Sequence, residues 1–390
     1  MPANQILAGI DLGGTTITAG LGDRTGNILL QRSIPTLSEN GPEDVLERIA
    51  ALVKNLAQEV GYKPSALGIG IPGLVDPTLG KTLFLPNMHT QWRGVCVREI
   101  LEKSLGYSVR ILNDVRTATL GEMKFGLGKN VSNMVFFSLG TGIGGGIVIG
   151  GKLLLGPLGS AGEIGHQTIL PNGPYCGCGN QGCLEALCSG PAIIAEGVRL
   201  FKSGQAPKLV HICANDISNV SPETMAQAAK EGDEAVSVGI YHIATLLGIG
   251  VANMVTSLHP ELVVLGGGVS KMGDLLLAPV RKVVKQRVRM FPVDDVRIEL
   301  SSVGEGAGLL GVGNAAPSVE LGTYDPFREA TQTDSAASGV AAARLAAISY
   351  QKIAAELANV MDVGAGFLQA LKSPNATADQ QLALRQSYSL

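Results

Sequence analysis

A chain of 390 residues with 45% hydrophobic and 16% charged side chains is too apolar for disorder and too long for one core to organise easily. A formal net charge of -3, with no long run of Lys or Arg, leaves no basic footprint for nucleic acid or an anionic membrane. Two globular lobes and a small-molecule partner in the cleft between them are the expectation.

The opening MPANQILAGIDLGG lacks the basic and apolar regions of a secretory signal, so a cytoplasmic protein without disulfides is expected. ILAGI, DLGGTT and ITAGL then read as two short strands joined by a glycine-rich turn, with a further strand near Ile28 to Gln31. From Pro42 to Val60 the apolar residues Val45, Leu46, Ile49, Leu52, Val53, Leu56 and Val60 recur at helical spacing, with Gly61 as the stop. LGIGIPG near Leu67 and VRIL near Val109 are buried-strand candidates that end in polar or turn residues, where α/β proteins place ligand groups. A helix is expected to start near Val115.

MVFFSL, the glycines from Gly140 to Gly146 and IVIGGKLLL again give strand, glycine turn, strand, so the second half repeats the plan of the first. Helical patterns follow Pro191 and cover Ala235 to Leu258 and Met272 to Val288, around a strand at Glu261 to Leu265. The stretch Ala235 to Leu258 has no charged residue and the length of a membrane span. Its Ser237, Tyr241, His242, Thr245 and Asn253, with no flanking basic cluster, fit a helix buried between sheets better. The expected division is an N-terminal lobe over 1–125, a C-terminal lobe over 126–316 and an appendage over 317–390 that includes an Ala-rich helix from Ala341 to Asp362.

Asp11-Leu-Gly-Gly-Thr-Thr sets a carboxylate at a strand end, then Gly13 and Gly14, whose amides can approach an anion, then the hydroxyls of Thr15 and Thr16. An ordinary hairpin turn has the same look. Gly140-Thr141-Gly142-Ile-Gly-Gly-Gly is denser than a turn requires, since each glycine weakens regular structure by roughly 0.5–1 kcal/mol relative to Ala. It also matches a dinucleotide fingerprint, but that motif demands a following helix, and the β-branched IVIGGKLLL is a strand. Gly266-Gly267-Gly268 lies between a strand and a helix, either as a tight turn or as a nucleotide-binding turn. Asn113-Asp114 precedes a helix, which fits an N-cap and equally a general base that accepts a hydroxyl proton during phosphoryl transfer.

Between Gly162 and Glu185 the chain reads GEIGHQTILPNGPYCGCGNQGCLE. His166, Cys176, Cys178 and Cys183 make a complete tetrahedral zinc set, which leaves Glu163 and Glu185 for hydroxyl groups. Cys96, Cys188 and Cys213 have no such company and read as packing residues.

Together these motifs resemble the ROK family, which contains sugar kinases and repressors. The resemblance runs from about Ile6 to Gly313 and rests on DLGGTT, GIPG at Gly70 to Gly73, Pro86-Asn87 with Trp92, Asn113-Asp114, GTGIGGG, EIGH, CGCGNQGC, Leu184-Glu185, GGGVS and GEGAGLLG near Glu305. It implies an actin-like, ribonuclease H-like two-lobed α/β fold. It also implies Asp114 as catalytic base, with Asn87, Asn113, Asp114, Glu163, His166 and Glu185 as sugar ligands. The glycine turns would form the site for ATP with Mg2+, zinc would be structural, and the assembly would be a homodimer or homotetramer. A glucokinase-like hexose kinase is the leading expectation. Kinases for N-acetylhexosamines, mannose or fructose are the alternatives, then a sugar-sensing protein without kinase activity. Family repressors resemble such a body preceded by a helix-turn-helix domain, and with Asp11 this near the first residue no such domain is expected here. Where the family commonly continues Asn-Asp with Ala-Asn, this chain has Val115-Arg116, and a bulky cation there bears on sugar preference.

Overall fold

The computed structural model describes residues 6–303 apart from 87, 89 and 157. The expected appendage, its helix and the GEGAGLLG motif lie outside these residues. Strand β1 (Leu7–Leu12) forms a hairpin with β2 (Thr16–Gly22), and β3 (Ile28–Pro35) completes an antiparallel meander. Helix α1 (Pro42–Val60) follows, with Pro42 in its first turn and Gly61 as a left-handed cap at φ 76° whose amide returns to the Ala57 carbonyl. β4 (Ala66–Ile71) runs parallel to β1, and its alternate Gly and apolar residues are all buried, as befits a central strand covered on both faces. A small ribbon of β5 (Leu74–Asp76) and β6 (Lys81–Phe84), then α2 (Val97–Leu105), lead to β7 (Ser108–Asn113), parallel to β4. The ribbon and α2 have no counterpart among the sequence expectations, because elements this short carry too few periods to read.

Helix α3 (Asp114–Phe125) starts directly at the end of β7. A second meander of β8 (Met134–Leu139), β9 (Ile143–Ile149) and β10 (Lys152–Leu153) comes next. Helices α4 (Leu184–Cys188), α5 (Gly190–Lys202), α6 (Pro207–Ile212), α7 (Pro222–Lys230) and α8 (Glu234–Leu258) precede β11 (Leu262–Gly266), α9 (Asp274–Arg287) and β12 (Arg297–Leu300). The two five-stranded sheets have the same plan: β3-β2-β1-β4-β7 and β10-β9-β8-β11-β12. In each, the first three strands are antiparallel and the last two run parallel to the first.

Helix α8 is long and apolar enough to cross a membrane. Here it packs on α9, α4, α5 and α7, and Ile240, Ile243, Leu247, Val251 and Val255 belong to the core of the second sheet. The first sheet has its own core, from Ile10 and Leu12 to Leu46, Ile49 and Trp92.

Helix α3 touches strands of both sheets. Gly144 and Gly146 are not in the turn where the sequence suggested them but within β9, beneath α3. A Cβ at Gly144 would come 2.6 Å from a Val115 methyl, and one at Gly146 would overlap the Thr119 hydroxyl. Their density therefore reflects the close approach of helix to strand, and the turn proper is Gly140 to Gly142.

Candidate active site

The register aligns Asp11 with Gly70 and Ile71 with Asn113, so the ends of β1, β4 and β7 meet on one rim of the first sheet. Such strand ends are the usual ligand rim of α/β sheets. Asn113 caps α3 through its side-chain oxygen, which accepts from the amides of Val115 at 3.0 Å and Arg116 at 3.2 Å. Its amide nitrogen donates to the Gly73 carbonyl at 2.9 Å and to Asp114 Oδ1 at 2.8 Å. The helix cap is thus Asn113, and Asp114 is released for other work.

Asp114 Oδ1 also accepts from the Val115 amide at 2.8 Å, while Oδ2 has no hydrogen-bond partner among the described residues. Burial and, less strongly, the charge of Asp11 raise the Asp114 pKa from 3.8 to about 6, against the opposing pull of the Val115 amide and Arg116. Desolvation wins over the hydrogen bonds and the helix N-terminus. Asp11 is itself shifted upward by burial. A carboxylate with one oxygen fixed, the other open and an affinity for protons near neutrality is suited to general-base work.

The turn after β1 is anchored rather than free. Gly13 donates to the Thr16 carbonyl at 2.8 Å and accepts from the Thr36 hydroxyl at 2.7 Å, which leaves the tip at Gly14 with Thr15 and Thr16 exposed. On the second sheet, the end of β8 and the end of β11 lie side by side, with Ser138 paired to Gly266. Gly267, at φ 84°, sits against the Leu139 backbone with no space for a side chain. The turns Gly140–Gly142 and Gly266–Gly268 are therefore neighbours, with Thr141, Gly267 and Gly268 exposed.

His166, Cys176, Cys178 and Cys183 converge, their ligand atoms all within 4.8 Å of one another. Cys178 Sγ lies 3.7 Å from Cys183 Sγ, and Cys176 Sγ lies 3.7 Å from His166 Nδ1. Tetrahedral zinc with Zn–S of about 2.3 Å and Zn–N of about 2.0 Å has edges of roughly 3.5–3.8 Å, so both 3.7 Å pairs are spaced as that ion would need. Burial pushes the Cys176 thiol up to about 12 and raises Cys183, while the Asn180 amide lowers Cys178, so it is the two buried thiolates that call for a cation. Cys188 and Cys213 are buried away from this cluster.

His166 turns Nδ1 to the cysteines and Nε2 toward Glu163 Oε2, 3.9 Å away. Glu185 is more committed than the sequence suggested. Its Oε2 accepts from the Ile143 amide at 2.9 Å and its Oε1 lies 3.5 Å from Cys176 Sγ, so it joins the cysteine cluster to the glycine turn of β8–β9. Glu163 bonds through Oε1 to Arg116 at 2.7 Å and is otherwise exposed. Asn87 lies outside the described residues. Sequence reasoning marked Arg116 as a departure but not as a partner of Glu163, a pairing across 47 positions that no local pattern reveals.

The ROK family model matches residues 7–317. The chain belongs to the ROK family. This member is 37% identical over 308 residues to a glucokinase of Thermotoga maritima, covering 78% of this chain and 95% of that one. It is 33% identical to a xylose repressor of Caldicellulosiruptor bescii, over 78% of this chain and 76% of the repressor. Among solved structures it is similar to a ROK glucokinase from Streptomyces griseus in complex with glucose and AMPPNP, with TM-score 0.71 and 32% identity over 80% of this chain and 99% of that one. The α/β fold is that of the ROK sugar kinases.

Proposed function

We propose that this ROK protein is a cytoplasmic ATP-dependent hexose kinase, with glucose as the leading substrate. The observation that carries the reading is Asp114: a carboxylate on the strand-end rim, Oδ1 held by two donors, Oδ2 open and the pKa raised to about 6. In the proposed reaction Oδ2 accepts the proton of a sugar hydroxyl while that oxygen bonds the γ-phosphorus and the bond to the β-phosphate oxygen breaks. Asn113, Glu163, His166 and Glu185, with Asn87, are the proposed sugar ligands. The turns at Gly13–Thr16, Gly140–Gly142 and Gly266–Gly268 would receive the nucleotide, with Asp11 nearby. Mg2+ would travel with the ATP and neutralise charge on its phosphates. Zinc at His166, Cys176, Cys178 and Cys183 would supply rigidity alone, since four protein ligands leave no open position.

The likeness to the Streptomyces griseus glucokinase complex supports glucose and ATP. The likeness to a xylose repressor favours a second reading, a sugar-responsive protein without phosphoryl transfer. ADP release measured with glucose, N-acetylglucosamine, N-acetylmannosamine, mannose and fructose separates them. Turnover highest with glucose is expected. Sugar binding without ADP release from any of these would refute the kinase and leave the second reading.

A further inference from the structure

We propose that Arg116 is a positioning residue for sugar recognition, which locks Glu163 and the Asn113–Asp114 turn into one geometry. The inference rests on the reading of Glu163 as a sugar ligand. Arg116 is 1% exposed, although it follows an active-site carboxylate by two positions. A guanidinium survives such burial only where its donors are met and its charge is matched. Here they are. Nε donates to the Ala161 carbonyl at 3.1 Å and one terminal nitrogen to Asn113 Oδ1 at 3.0 Å. The other donates to the carbonyls of Ser160 at 3.2 Å and Ala161 at 2.8 Å and to Glu163 Oε1 at 2.7 Å.

Two consequences follow for the site. Glu163 would otherwise be an exposed carboxylate free to change rotamer, because 47% of its side chain is accessible while only 2% of Arg116 is. The buried fork fixes Oε1 and leaves Oε2 on the His166 side, 3.9 Å from Nε2. Meanwhile Arg116 adds a third donor to Asn113 Oδ1, which already accepts from two backbone amides. That orients the Asn113 amide toward Asp114 Oδ1. One side chain thereby spans the turn that carries the base and the loop that carries the sugar carboxylate. A lysine has one compact ammonium in place of the planar fork and cannot meet carboxylate, cap and loop carbonyls together.

The test is a double-mutant cycle on the full chain, read as sugar Kd and as Kd for AMPPNP, a non-hydrolysable ATP analogue. Arg116→Gln is expected to weaken sugar binding by about tenfold or more and AMPPNP binding by less than about twofold. In the Glu163→Gln background the same change should weaken sugar binding by less than about threefold, because the carboxylate it positions is already gone. Arg116→Lys, which keeps the charge but not the fork, should melt higher than Arg116→Gln without recovering the sugar affinity, and it decides the matter if Arg116→Gln does not fold. Equal losses of sugar and nucleotide affinity, multiplicative losses in the cycle, or full sugar affinity in Arg116→Lys would overturn the proposal. A wild-type chain that binds no hexose would instead refute the sugar-site reading itself.

Discussion

Replacing Asp114 by Asn removes the proposed base with little change of shape. The amide oxygen can keep the two hydrogen bonds now made by Oδ1, from Asn113 Nδ2 and the Val115 amide at 2.8 Å each, and the NH2 then occupies the place of Oδ2. Sugar and nucleotide should still bind, but the group facing the hydroxyl now donates and cannot accept its proton. Loss of a general base costs about 10²–10⁴ in turnover, roughly 3–5 kcal/mol of barrier, with the low end favoured by the loose transition state of phosphoryl transfer. Stability should move the other way. The folded-state pKa of about 6 exceeds the ordinary 3.8, so the fold prefers the protonated form. The resulting penalty is absent below the ordinary pKa, grows between the two values and is complete above the folded one. Removing that charge should thus stabilise the fold by on the order of 1–3 kcal/mol at pH 8 and by less at pH 5. ADP release at saturating substrates, sugar titration by calorimetry and melting curves at both pH values are the assays. Turnover within about threefold of wild type in a folded Asp114→Asn variant would reduce Asp114 to a structural residue.

The same shift predicts an acidic limb near pH 6 in the pH dependence of kcat/KM for sugar, with activity rising as Asp114 ionises. Asp11→Asn removes a charge that raises that pKa, so the limb should move to lower pH, and an unmoved or upward-moved limb would contradict the pairing. Cys178→Ser should release about one zinc per chain by metal analysis and raise the sugar KM or abolish activity, while AMPPNP still binds. Because Glu185 also holds the Ile143 amide, AMPPNP affinity should fall a little in that variant, and an equal loss of both affinities would sink a sugar-side role for the metal. Gly146→Ala should lower the melting temperature strongly by forcing α3 off β9, and a neutral effect would refute the packing explanation of these glycines.

The sequence revealed what short-range pattern and donor chemistry can encode. Helices α1 and α8 follow from apolar spacing, and the central strands β4 and β11 from apolar runs. The His–Cys cluster was legible because its three cysteines fall within eight residues of turn-forming sequence. What sequence could not supply was set by partners distant along the chain. Gly144 and Gly146 look like more of a phosphate turn until α3 is seen above them. Glu185 looks unattached until Ile143, 42 positions earlier, is found donating to it. Asn113 and Asp114 are adjacent and chemically similar, and only the backbone decides that the amide caps the helix while the acid keeps one oxygen unbonded.

Helix α3 gives these separate facts a common cause. Its first residue presents the candidate base, its third holds the Glu163 loop, and Val115 and Thr119 rest on the glycines of β9. Near its end the buried Glu122 accepts from the hydroxyls of Ser301 at 2.6 Å and Ser302 at 3.4 Å, just beyond the last strand of the second sheet. A helix gripped along its length by both sheets cannot tilt without breaking buried polar bonds, each costly to leave unmade. Asp114 is therefore held against its own preference. Its charge is penalised by burial and by Asp11, and rigid anchoring of α3 prevents the relief that a small outward movement into water would bring. The raised pKa follows from burial first and from the charge of Asp11 second, at a helix start that both sheets hold in place.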